Sequence, residues 1–140
     1  MRLLIFLLLV LIIWIGFSIS AKDKYIERDK ELLYYMEICS MLGVNDRKKY
    51  IIKRSNETKT VFRRGNIPVI HLCIEDDRGI KFDEETVIIA LIHEISHVLC
   101  NERGHTNKFY NIENEILSNA IKLRLITNES SVEENYPCRV

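Results

Sequence analysis

Three of the chain's four histidines fall between positions 93 and 105. Two of them belong to His93-Glu94-Ile95-Ser96-His97, an H-E-x-x-H motif. On a helix, positions i and i+4 share a face, so both imidazoles can reach one ion. Glu94 stands beside the first ligand, near enough to act on a water at that ion without being a ligand itself. Neutral imidazole suits a redox-inert, tetrahedral ion, and the cofactor expected is one Zn2+. A catalytic zinc site takes three protein ligands and keeps one position for water, so a third ligand is required. His105 is the leading candidate. The chain must turn through Asn101-Glu102-Arg103-Gly104 to bring it back, and Gly104 tolerates the positive φ such a turn needs. Glu113 and Glu115 are rival third ligands, and Cys100 is a candidate fourth ligand for a purely structural site. His71, outside the cluster, reads as an ordinary core or surface histidine.

These residue types point to peptide-bond hydrolysis. Metal His93, His97 and His105 would hold the ion, and Glu94 would act as general base and then return its proton to the leaving amine. The partner expected is a protein or peptide substrate. An extended peptide can add to the edge of a sheet, and Pro68 to Ile74 is the edge expected to receive it. Tyr110 is a candidate donor to the tetrahedral intermediate, with an ordinary aromatic beside Phe109 as the alternative.

The elements that must carry these residues read as an α+β domain. Lys22 to Leu42 has helical periodicity and a stop at Gly43. Three strand-like pieces follow, at Tyr50–Ile52, Thr60–Phe62 and Pro68–Ile74, and their order suggests a small meander. Asp83 is a good N-cap, and Glu84 and Glu85 suit the first turn of the helix that carries the motif to about Asn101. A last helix, Thr106 to Ile126, repeats Phe109, Ile112, Ile116, Ala120 and Leu123 on one face.

The chain has 140 residues and no net charge, with 20 basic and 20 acidic side chains. Repeat fibres, disordered chains and multi-pass membrane proteins are excluded by this composition. The zero is a cancellation. Residues 45–64 hold eight basic and two acidic residues, and residues 75–102 hold eight acidic and two basic. The basic segment 47–64 reads as a hairpin that could meet nucleic acid or anionic lipid. A second function class follows from it: a catalytically silent module of the same fold, binding a protein, nucleic acid or anionic membrane there. Cys39, Cys73 and Cys100 sit among apolar neighbours and read as buried thiols. A monomer is expected.

Leu3 to Phe17 is unbroken apolar sequence, and Arg2 is the only charged residue before Lys22. The expected domains are an anchor or signal peptide at 1–21 and an α+β metallopeptidase domain at 22–140. Residues 3–20 would be one transmembrane helix. Lys22, Lys24, Arg28 and Lys30 would place the C-terminal domain in the cytoplasm. The alternative is a secreted or lumenal protein after signal-peptide cleavage following Ser20.

The series HEISHVL, a short turn, Gly104-His105 and Lys108-Phe109-Tyr110 resembles the WLM and SprT-like zinc metallopeptidases. The match covers about Ile67 to Leu125. The wider layout, including Tyr136-Pro137-Cys138, is similar to small membrane-anchored WLM-like proteins of large DNA viruses. The resemblance implies a minimal zincin fold, His93, His97 and His105 as ligands, Glu94 as catalytic base, and a link to proteolysis of DNA–protein crosslinks. His105 lies eight positions after His97, a longer spacing than the family's usual pattern.

Overall fold

The computed structural model describes the backbone of residues 2–128 and 136–137, and the side chains of these residues apart from 2–6 and 20–29. Helix α1 spans Arg2–Met41, followed by strands β1 (Ile51–Arg54), β2 (Lys59–Val61) and β3 (Val69–Leu72), then α2 (Glu84–Leu99) and α3 (Asn107–Lys122). Packing divides the chain into two compact units, Met1–Tyr34 and Tyr35–Val140.

The first unit is helix. Its apolar side chains from Leu7 to Ile19 are exposed. Among the described residues no helix is long and apolar enough to cross a membrane. The expected transmembrane helix and the single-pass membrane localisation are corrected accordingly, and with them the membrane orientation. The outer flanks of the expected anchor and the cleavage position at Ser20 lie outside the described side chains.

The second unit is α+β. Its sheet has the order β1-β3-β2, with β1 parallel and β2 antiparallel to β3. Ile52 and Thr60 both pair with Ile70, so β3 is the central strand. This corrects three expectations. The strands do not form a meander, the basic segment 47–64 is not a hairpin, and Pro68–Ile74 is not an edge. β1 and β2 flank β3 on opposite sides and are the outer strands among the described residues. The strands hold only three or four residues each, so pairing is decided by long-range packing.

Along β3, Ile70 and Leu72 are buried while Val69 and His71 are half-buried. The period-two alternation turns the first pair to the helices and the second outward. Helix α2 is buried nearly all round: Val87, Ile88, Leu91, Ile92, Ile95 and Val98 line it. A helix of that composition forms because both faces meet apolar partners, β2 and β3 on one side and α3 on the other. Its start is fixed by Asp83, whose side chain accepts from the Thr86 N–H at 3.2 Å. α3 starts the same way at Thr106, which accepts from Phe109 N–H at 3.3 Å. It turns Phe109, Ile116, Leu117 and Ala120 inward. Leu123 is exposed and leaves the expected stripe.

The tail returns to this core. The Tyr136 hydroxyl donates to Cys73 O at 2.7 Å and lies 2.6 Å from Thr58 Oγ1. Thr58 N–H donates to Pro137 O at 2.8 Å. Cys138 lies outside the described residues. Cys39, Cys73 and Cys100 are buried free thiols, as expected, and burial pushes the Cys39 thiol up to about 11.

Candidate metal centre

His93 and His97 sit one turn apart on α2, four positions from each other on a shared face. α2 ends at Leu99, with Cys100 as its C-cap. The chain then reverses, and Gly104 adopts φ +77° in the turn, a conformation a side chain would disfavour. His105 comes back against the motif. Its Nε2 lies 3.3 Å from His93 Nε2 and 3.2 Å from His97 Nε2.

One imidazole Nε2 carries at most one proton, so it cannot serve two such neighbours as a donor. Convergence on a common point accounts for both distances. Four ligands at the vertices of a tetrahedron about 2.0–2.1 Å from zinc are roughly 3.3 Å apart, which matches both separations. The three histidines can hold a metal ion: their ligand atoms all lie within 4.8 Å of one another. Burial, and then the neighbouring His93 and His105, push the His97 imidazole down to about 4. It is thereby kept in the neutral form that ligates.

The rival ligands are placed elsewhere. Glu113 accepts from His93 Nδ1 at 2.7 Å, with both side chains largely buried. That contact puts the proton on Nδ1 and turns the Nε2 lone pair to the common point. Glu115 faces outward and pairs with Arg47 at 3.1 Å. Cys100 is not among the converging atoms. The floor of the cluster is Phe109, fully buried, with ring centroids 5.1, 4.5 and 4.7 Å from His93, His97 and His105. Tyr110 is exposed beside His105, ring centroids 6.0 Å apart.

Glu94 is buried. The Thr60 hydroxyl, on edge strand β2, donates to Glu94 Oε2 at 2.6 Å and lies 3.2 Å from the Glu94 carbonyl oxygen. Sequence reasoning did not find Thr60, because 34 positions and a strand crossover separate the two residues. Neither did it give Phe109 a role beyond core packing. His71, on β3, is paired in register with Lys53 and Lys59 and takes no part in the cluster.

No family model matches the chain, and no solved structure matches it. Over 70 residues it is 40% identical to the uncharacterized protein 136R of Invertebrate iridescent virus 6, covering 48% of this chain and 39% of that relative. Over 72 residues it is 40% identical to the uncharacterized protein 042R of Invertebrate iridescent virus 3, covering 51% of this chain and 45% of that relative. The chain thus spans less than half the length of these curated relatives, both of them viral proteins.

Proposed function

We propose that the chain is a zinc-dependent peptidase, similar in its motif to the WLM and SprT-like metallopeptidases. The observation that carries this reading is the convergence of three imidazoles within 4.8 Å of one another, with a buried carboxylate next in sequence to one of them. The donor set of three neutral nitrogens suits zinc among the divalent ions. Zinc held there supplies Lewis acidity, acidifying water and polarising a carbonyl. The protein's own groups do the rest. Glu94 takes a proton from the attacking water and returns it to the leaving amine. Thr60 holds one oxygen of that carboxylate so that its orientation is set before substrate arrives. Glu113 fixes the His93 ring. The outer strand nearest this machinery is β2, where an extended peptide would pair by strand addition.

The test uses the purified full chain loaded with zinc, cleaving casein and a mixture of peptides, beside Glu94→Gln. A positioned general base contributes about 10²- to 10⁴-fold, so the variant should lose at least about 100-fold while keeping its metal. Equal cleavage by both forms would refute the assignment.

A further inference from the structure

Beside His97 lies a cavity of about 470 Å³ with Lys48, Phe62 and Arg103 in its lining. Lys48 also lines a second cavity, of about 380 Å³, together with Lys49, Ile51 and Ile67. Ile51 and Ile67 in turn line a third, of about 530 Å³, on the outer face of the sheet with Lys53 and Arg63. Shared walls make the three one surface, running from the metal cluster across the end of the sheet to its outer face.

The charge on that surface is one-sided. Lys48, Lys49, Lys53, Arg63 and Arg103 line it, against Glu102 as the one carboxylate. None of the five cations has a carboxylate within ion-pair distance among the described residues. Other cations of the same basic segment do: Arg47 with Glu115 and Arg54 with Glu75 at 3.1 Å, and Lys59 with Glu57 at 3.0 Å. The fold therefore neutralises part of the segment and leaves the rest unpaired along the approach to His97. Cations gathered in a groove with low-dielectric walls focus their field and draw an anionic partner.

The apolar content says which anionic partner. Phe62, Ile51 and Ile67 are exposed between the cations, and β2 is an outer strand of the sheet beside the cluster. Mixed apolar and charged contacts along an edge suit an extended polypeptide with side chains alternating on two sides. A single nucleic acid strand asks instead for rings in series to stack its bases. Here Phe62 and Tyr50 line separate cavities with isoleucines between them.

We propose that the metal cleft takes acidic polypeptide segments, with Lys48 and Arg103 receiving an acidic side chain next to the scissile bond. This substrate class rests on the peptidase reading, and binding is measured apart from cleavage so that the two can fail separately.

The binding arm uses full-chain Glu94→Gln with zinc. Three fluorescent probes of equal length are compared by anisotropy: an Asp/Glu peptide with interleaved Leu and Val, its Lys counterpart, and a single-stranded oligonucleotide. The acidic peptide should bind at least tenfold tighter than the other two, and the preference should shrink as salt rises. Lys48→Glu with Arg103→Glu should reverse the preference between peptides. Should that pair misfold by circular dichroism, Lys48→Gln with Arg103→Gln should still erase most of the preference. Equal binding of the two peptides, or tighter binding of the oligonucleotide, overturns the proposal. In the cleavage arm, wild type should cut the acidic peptide at least tenfold faster. Equal cutting of both peptides overturns the acidic preference while hydrolysis stands. Acidic-selective binding with no cleavage of either supports the surface and sinks the peptidase reading.

Discussion

Replacing Glu113 by Gln should weaken zinc binding without disturbing the fold. Gln is nearly isosteric with Glu, so the packing between α2 and α3 is kept. What changes is the partner of His93 Nδ1, now a carboxylate oxygen at 2.7 Å. Side-chain exposures of 16% for His93 and 15% for Glu113 leave little solvent to screen that contact. The carboxylate makes the imidazole a better ligand and fixes its tautomer. An amide oxygen still accepts the Nδ1 proton but brings no charge, so about tenfold in zinc affinity should be lost, near the lower end for such partners. Glu113→Ala removes the acceptor as well and should approach about 100-fold, or roughly 2.7 kcal/mol. Glu115→Gln is the control. Its side chain is 64% exposed and pairs with Arg47 on the surface, so zinc affinity should stay within about twofold. Competition against a chromogenic chelator, with circular dichroism to check folding, reads all three. Well-folded Glu113 variants with wild-type affinity would refute the reasoning, as would a loss on Glu115→Gln equal to that of Glu113→Gln.

Phe109→Ala should destabilise the protein by about 3–5 kcal/mol in a denaturant titration, since it empties the floor beneath three rings. Phe109→Leu should recover much of that. Thr60→Val should lower kcat about tenfold with KM and zinc content little changed, and Thr60→Ser should restore it; a loss confined to KM would contradict the placing of Glu94 by Thr60. The pH dependence of the metal-free protein has a defined sign. His97 keeps its neutral form in the fold down to about 4, whereas the unfolded chain protonates it near the ordinary 6.5. Its contribution to stability is therefore full above about 6.5 and is lost as pH falls toward 4, which thermal melts across that window should record, with His97→Gln flattening the slope.

The parts of this structure set by neighbouring residues were legible in the sequence. Asp83 and Thr106 start their helices within a residue of expectation because capping depends on a few adjacent positions. The i, i+4 spacing of His93 and His97 fixes their common face once the helix forms. Gly104 marked the turn that returns His105. What depended on distant packing was not legible. Parallel pairing of β1 with β3 joins Ile51 to Val69 past an intervening strand, and nothing in either short segment encodes that choice. The contact of Thr60 with Glu94 follows from that sheet order and was hidden with it. Charge in the segment 47–64 could be counted, but which cations find carboxylates is decided by Glu75 and Glu115, far along the chain. Hydropathy of the apolar head suggests a membrane span, whereas among the described residues no helix is long and apolar enough to cross a membrane.

Zinc K-edge X-ray absorption on the purified full chain reads the ligand set of the three histidines itself. One zinc per chain is expected, with three nitrogen ligands and one oxygen at about 2.0–2.1 Å, and His105→Ala should lose a nitrogen ligand. A sulfur shell at about 2.3 Å, or a chain that retains no zinc after purification in its presence, would contradict it.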